Sequence, residues 1–209
     1  MKAVRWVLVS AAFVLAGCEA ATPKAAPPSS SAAPTPTPTA SSSSAAASAQ
    51  QDPARFAKQV VTRAREAGVE PQLVMAILYN ESYKPHDPEL ERAWQKLKPD
   101  AAFGVANMHK AAFEESRKGR PFAGREWQEL PDDPDLAIQA AAWYLHDLAA
   151  QLPAARSGHS TGDLLAVGYN AGPSTMKAVA GGTKPGAQVQ TYLDTLHDNW
   201  AKAGKAVAS

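Results

Sequence analysis

The sequence predicts an all-α domain, and three observations support this prediction. Beyond residue 52, apolar residues recur mainly at the three- and four-residue spacing of a helix. Asp-Pro pairs and single glycines, which start and end helices, flank these segments. Alternating apolar residues of the strand type are nearly absent. Charged and large apolar residues begin at Asp52 and continue to about Trp200, which is enough chain for one domain with a sizeable core.

The first two predicted helices have clear ends. Asp52 and Pro53 are typical of an N-cap and first turn, and Gly68 ends that helix. Pro71 begins a second helix, which ends near Glu81. The apolar residues that define the two helices are, in order, Phe56, Val60, Val61 and Ala64, then Leu73, Val74, Ile77 and Leu78.

The next segment is more polar. Residues 85–88 predict a turn, and residues 89–98 predict a short polar helix. Gly104 interrupts the short apolar run 101–108, which we leave unassigned. We expect the carboxylates of this segment to be solvated surface charges, because nothing in their spacing fixes them opposite another group; they are Asp87, Glu89, Glu91 and Asp100.

The C-terminal half predicts further helices. Asp133 and Pro134 begin the clearest one, with a stripe of Ala137, Ala141, Tyr144, Leu145, Leu148 and Leu152 and with Asp135, Gln139 and Asp147 off the stripe. Ser160 or Thr161 caps a helix that runs to Tyr169, and Gly172-Pro173 forces a break before a short helix over 174–180. A last helix is predicted over 185–200.

The N-terminus has the anatomy of a signal peptide over residues 1–17. Lys2 and Arg5 precede a short apolar run that ends in Leu15-Ala16-Gly17-Cys18, which resembles the bacterial lipobox. Cys18 is the single cysteine, so no intramolecular disulfide can form. We expect cleavage before Cys18, lipid on its thiol, and a protein at the extracytoplasmic face of the bacterial cell membrane.

Residues 18–52 are nearly all Ala, Ser, Pro and Thr after the cysteine, which predicts a disordered tether. Such a tether reaches about 30 Å as a coil and about 100 Å when stretched. We assign the domain to residues 53–203 and a tail to 204–209. The formal net charge of +1 gives no reason to expect nucleic acid as a partner, and a monomer is expected.

Three fragments place polar residues where a packed helix does not favour them. Asn80-Glu81-Ser82 ends an apolar helix, where partial desolvation beside Leu78 and Tyr79 would favour the protonated form of the acid. Residues 103–108 combine Gly104 with Asn107 and Met108, and residues 168–172 place Tyr169 and Asn170 between glycines. Taken singly, each fragment also fits a simpler interpretation, namely an exposed glutamate at a helix end, a turn, or a helix stop.

Taken in order, these fragments resemble the soluble-lytic-transglycosylase (SLT, goose-lysozyme-like) family. Glu81-Ser82, Gly104-Val105-Ala106-Asn107 and Gly168-Tyr169-Asn170-Ala171-Gly172 match its three motifs, the second loosely, and Tyr192 falls where a late tyrosine belongs. The resemblance covers about residues 53–200 and implies a lysozyme-like helical fold with a glycan-binding cleft. Two features depart from the pattern: the segment from Glu81 to Gly104 is longer than usual, and Asn107 replaces the usual Gln.

The resemblance implies cleavage of peptidoglycan glycan strands with Glu81 as single general acid and base, forming a 1,6-anhydro-N-acetylmuramic acid end. No metal and no cofactor take part. It also implies a substrate-contacting set that comprises Ser82, Gly104, Asn107, Met108, Tyr169, Asn170 and Tyr192. Three other interpretations stay open at this stage: a hydrolytic muramidase that uses one of the intervening acids as base, a non-catalytic peptidoglycan-binding lipoprotein, and a helical protein-interaction domain.

Overall fold

The computed structural model describes residues 51–83, 86–154 and 156–208, and it confirms a mainly helical domain. Cys18 and the predicted signal peptide and tether lie outside the described residues. Within the described ranges, no helix is long and apolar enough to cross a membrane. Seven α-helices are described: α1 (Ala57–Ala67), α2 (Pro71–Glu81), α3 (Pro88–Leu97), α4 (Lys110–Ser116), α5 (Pro134–Ala150), α6 (Thr161–Ala180) and α7 (Ala187–Val207).

Helix α2 is the centre of the fold. Its eight residues from Leu73 to Asn80 are all buried, so it is surrounded on every side and not merely on one face. It packs along α7 and against α1, while α5 contacts α1, α4 and α6. Both ends of α2 agree with the prediction, since Pro71 occupies its first turn and Glu81 is its last residue. The catalytic candidate therefore emerges from the best-packed helix of the domain.

The entry to the domain also agrees with the sequence. The Asp52 carboxylate accepts a hydrogen bond from the Ala54 amide at 2.9 Å, and Pro53 to Phe56 form a 3₁₀ turn that leads into α1. Gly68 ends α1 with φ of 67°, a left-handed conformation that glycine adopts without strain.

Helix α3 corresponds to the predicted polar helix, but one of its charges is not solvated. Asp87 caps it by accepting from the Glu89 and Leu90 amides. Glu91 was expected at the surface and is instead buried, with 8% of its surface exposed, because it pairs with His86 and the Gly104 amide. The outer face of the helix exposes Leu90 and Trp94.

The unassigned segment 101–108 forms a small antiparallel hairpin of β1 (Ala102–Phe103) and β2 (Met108–His109). Phe103 lies opposite Met108, and both side chains are buried. Helix α4 and a 3₁₀ turn over Trp127–Glu129 follow, and neither was predicted. The indole of Trp127 fixes the hairpin by donating to the Met108 carbonyl at 2.9 Å.

The last three helices agree with the prediction in part. On α5, Gln139 was expected off the apolar stripe but is buried, because every residue from Leu136 to Ala142 is buried. Helix α6 contains the predicted break, since Gly172 has φ of 83° and ψ of 164°. Helix α7 runs past the predicted end at Trp200 to Val207, and Ala203 on this extension is fully buried.

Candidate active site

Glu81 lies at the C-terminal end of α2, half-buried, and both of its carboxylate oxygens are hydrogen-bonded. Oε1 accepts from the Tyr192 hydroxyl at 2.8 Å, and Oε2 accepts from the Asn107 amide nitrogen Nδ2 at 2.9 Å. Two bonds to two different oxygens fix both the position and the rotation of the carboxyl plane. The structure therefore brings together three residues that are separated along the chain by 26 and 111 positions.

Asn107 reaches Glu81 from the turn of the hairpin. The turn is closed by a hydrogen bond from the Asn107 amide to the Gly104 carbonyl at 2.9 Å. Gly104 has φ of 74° and Asn107 has φ of 46°, and asparagine is among the few non-glycine residues that adopt such a conformation readily. This gives a physical reason for an asparagine at the position where the family pattern has glutamine.

Tyr192 approaches from α7, and a buried pair of amides fixes that helix against α2. Asn80 donates from Nδ2 to the Tyr192 carbonyl at 2.9 Å, and its Oδ1 accepts from Asn199 at 3.0 Å. Asn80 is only 7% exposed. Because it precedes Glu81 directly, the same turn of α2 presents the acid and holds the helix that carries its partner. We did not identify Asn80 and Asn199 as site residues from the sequence; a polar residue inside an otherwise apolar helix was the available signal.

The environment keeps the Tyr192 phenol neutral. Burial, together with the negative charge of Glu81, raises the pKa of Tyr192 well above its usual value. Tyr192 is therefore a stable hydrogen-bond donor to the carboxylate and does not compete with it for protons.

Tyr169 lies beside this arrangement and does not bond to Glu81 through its hydroxyl, which donates to the Ala106 carbonyl at 2.7 Å. Burial and the nearby charge of Glu81 raise the pKa of Tyr169 well above its usual value. Its ring packs edge-on against Tyr144 with centroids 5.8 Å apart. Tyr169 thus connects α6 to the turn that carries Asn107, and it lies close enough to Glu81 for the charge of that acid to affect its pKa.

The remaining predicted residues have other surroundings. Ser82 is exposed, and its hydroxyl donates to the Tyr79 carbonyl at 2.8 Å, which caps the end of α2. Met108 was predicted to contact substrate, but its side chain is buried with 2% exposed, so it packs the hairpin and presents no surface to a ligand. Gly104 is also buried, and Asn170 is half-buried just before the break in α6. A substrate role for Ser82 and Asn170 stays a prediction.

Comparison with protein-family models matches residues 59–188 to the transglycosylase SLT domain, which is more than half of the chain. Searches of curated proteins and of solved structures gave no match. The matched range contains Glu81, Asn107 and Tyr169 and ends four residues before Tyr192. The chain therefore belongs to the transglycosylase SLT domain family.

Proposed function

We propose that the chain cleaves the β-1,4 bond between N-acetylmuramic acid and N-acetylglucosamine in peptidoglycan and leaves a 1,6-anhydro-N-acetylmuramic acid end. Membership of the SLT family supports a peptidoglycan-degrading function of the lytic transglycosylase type. The observation that carries the finer proposal is the Glu81 carboxyl group, which two neutral donors, Tyr192 and Asn107, orient. One acid suffices for this reaction when the substrate supplies its own nucleophile.

The proposed reaction has two steps that use Glu81 in turn as acid and base. Glu81 gives its proton to the glycosidic oxygen, and the bond between that oxygen and muramyl C1 breaks with its electron pair going to the oxygen. The muramyl C6 hydroxyl then bonds to C1, and its proton passes to the Glu81 carboxylate. No water enters, and Glu81 ends in its starting protonated form. Most glycosidases need a second carboxylate for the role that the C6 hydroxyl takes here.

The two partners of Glu81 differ in what they can do when its protonation changes. Asn107 bonds Oε2 through an N–H, which can only donate. Tyr192 bonds Oε1 through a hydroxyl, which can donate to a carboxylate or accept from a protonated carboxyl group. Tyr192 can therefore stay bonded to Glu81 in both steps.

The test is digestion of purified peptidoglycan by the full-length chain, followed by mass analysis of the released muropeptides. We expect products that are lighter by one water than hydrolytic ones and that borohydride does not reduce. Glu81→Gln should lower the rate by about 10²- to 10⁴-fold, because it removes the proton donor. Glu89→Gln, the same change on an exposed acid, is the matched control and should leave the rate unchanged. Reducible ends would indicate a hydrolase, and glycan binding without release would indicate a binding module.

We further propose that the protein is held at the extracytoplasmic face of the cell membrane by lipid on Cys18. The lipobox-like sequence before Cys18 and the absence of any other cysteine in the sequence support this. Cys18→Ala should move the protein from the membrane fraction to the soluble fraction, whereas Ser10→Ala, a change within the predicted signal peptide, should not. An N-terminal peptide whose mass lacks acyl chains in the wild type would contradict the proposal.

A further inference from the structure

The buried carboxylate of Glu91 links helix α3 to the turn that carries Asn107. Its Oε2 accepts a hydrogen bond from the Gly104 amide at 2.8 Å, and its Oε1 contacts His86 Nδ1 at 2.8 Å. It is the buried member of a set of acids that we expected to be solvated. Burial of a carboxylate is costly unless its oxygens are bonded, so these contacts need a reason beyond the packing of an otherwise exposed helix.

The hydrogen bonds of His86 define how many protons the pair holds. Nε2 lies 3.0 Å from the Pro131 carbonyl, which can only accept, so Nε2 carries a hydrogen. Nδ1 and Glu91 Oε1 then need one proton between them, on either the imidazole or the carboxyl group. With that proton present, all four polar atoms of the pair are satisfied. Without it, a carboxylate oxygen faces the lone pair of Nδ1, and the contact becomes repulsive.

The pair acts on the site through Gly104. The Gly104 amide bonds to Glu91, and the Gly104 carbonyl accepts the amide of Asn107, so both polar backbone groups of this residue are fixed. Asn107 in turn donates to Glu81. A continuous series of hydrogen bonds therefore runs from the Pro131 carbonyl through His86, Glu91 and the turn to the acid.

Resting on the proposed function, we propose that Glu91 and His86 are positioning residues that set the turn, and with it the Asn107 amide, against Glu81. The pair lies in the segment that is longer than the family pattern, so this segment supplies a support for the site. The turn has no titratable side chain between residues 102 and 108. The charged groups around the pair are Asp87 and Arg92 on its own segment and Asp132 beside Pro131, and Arg92 is ion-paired with Asp132.

Glutamine at position 91 separates positioning from simple packing. In Glu91→Gln, the side-chain oxygen can still accept from Gly104, and the amide N–H can donate to a neutral His86. The variant needs no shared proton. We therefore expect Glu91→Gln to keep kcat and KM close to the wild-type values, because it preserves both bonds of the carboxylate.

Glu91→Ala removes the bond to Gly104 altogether. We expect Glu91→Ala, in the full-length chain on soluble uncrosslinked glycan strands, to lower kcat by about 10- to 100-fold while KM changes little, since a displacement near 1 Å at a catalytic group costs about this much. Glu89→Gln serves as the matched control. A kcat in Glu91→Gln as low as that of Glu91→Ala, or an unchanged kcat in Glu91→Ala, would overturn the proposal.

A second measurement is independent of activity. Hydrogen exchange of the Gly104 amide, followed by NMR, should be slow in the wild type and Glu89→Gln and faster by about tenfold or more in Glu91→Ala. Unchanged exchange in Glu91→Ala would overturn the positioning pair even if the enzyme cleaves the wall. If exchange speeds up in Glu91→Ala as expected but the wild type releases no muropeptide, the proposed function is overturned. The positioning role of Glu91 and His86 on the turn is then retained.

Discussion

The Tyr192 hydroxyl donates to Glu81 from a helix that lies 111 residues further along the chain. We expect Tyr192→Phe to lower kcat by about 10- to 100-fold, because it removes one of the two bonds that orient the carboxyl group. The ring and its packing remain, so the melting temperature should fall by only a few degrees. Steady-state kinetics on soluble glycan strands, alongside thermal unfolding, measure both effects.

Tyr79→Phe is the matched control for this change, since it removes a phenolic hydroxyl from α2 that does not touch Glu81. It should leave kcat at the wild-type value. Because burial and the Glu81 charge keep the pKa of Tyr192 well above its usual value, the hydroxyl stays protonated below about pH 10. Any loss of wild-type activity between pH 7 and 9 must then come from another group, and a loss over that range that Tyr192→Phe removes would contradict this account.

The hairpin depends on a glycine at position 104 for two separate reasons. Its φ is 74°, and a Cβ there would lie 2.8 Å from the Leu130 carbonyl oxygen and 3.3 Å from the Ala137 Cβ. Gly119 has a similar φ of 67° with nothing near a built Cβ, so it isolates the conformational cost from the clash. We expect Gly119→Ala to destabilise the fold by about 1 kcal/mol and Gly104→Ala by about 2 to 4 kcal/mol.

Gly104→Ala should also reduce activity, because the clash pushes the turn and the Asn107 amide away from α5. Urea unfolding and peptidoglycan digestion of the two alanine variants check both statements. Equal destabilisation at the two positions would show that the close approach to Leu130 is not a constraint in solution.

The helices with strong local signals were predicted well. Helix α2 begins at Pro71 and ends at Glu81 as expected, because proline favours the first turn and the apolar run is continuous. The break at Gly172 was also predicted correctly, since Pro173 cannot donate a helical hydrogen bond. Helix α7 overran its predicted end because Gly204 does not interrupt it: a Cβ there would lie 2.9 Å from Gln72, so close packing explains this glycine.

The contacts between distant segments could not be predicted from the sequence in the same way. The two-residue strands of the hairpin are too short to show alternation, so Asn107 could be matched to a motif but not placed at 2.9 Å from Glu81. The burial of Glu91 depends on a histidine five residues earlier and on a backbone amide, and sequence spacing reports neither. Family resemblance supplied the candidate residues, and only the fold shows which of them touch.

A cluster of Asp52, Tyr79 and Lys202 links the start of the domain to its last helix. Asp52 precedes the 3₁₀ turn, its carboxylate lies 3.4 Å from Lys202 Nζ, and Lys202 sits 4.0 Å from the centroid of the Tyr79 ring. The Tyr79 hydroxyl also interacts with the Asp52 carboxylate, which helps to raise the pKa of Tyr79. Burial acts to raise the pKa of Asp52, but the Ala54 amide, the Tyr79 hydroxyl and Lys202 together lower it. This cluster connects the start of the domain, α2 and α7.

The same cluster predicts how stability depends on pH. Burial and the Asp52 hydrogen bond raise the pKa of Tyr79 to about 12, so the folded state favours the neutral phenol. Its contribution is fully present below the unfolded pKa near 10 and is lost as pH rises from about 10 to about 12. We expect Tyr79→Phe to lower the melting temperature by about 3 °C at pH 8, the value that about 1 kcal/mol gives in a domain of this size.

At pH 11, the wild type should have lost much of that advantage, so the two midpoints should converge. Thermal unfolding of both chains at the two pH values, compared as a difference, cancels the titration of Tyr169 and Tyr192, which both chains share. Tyr83→Phe, at a position that is 70% exposed, controls for the loss of a phenol as such and should shift the midpoint little at pH 8. A gap between the wild type and Tyr79→Phe that stays constant from pH 8 to pH 11 would mean that the contact between Tyr79 and Asp52 does not stabilise the folded chain.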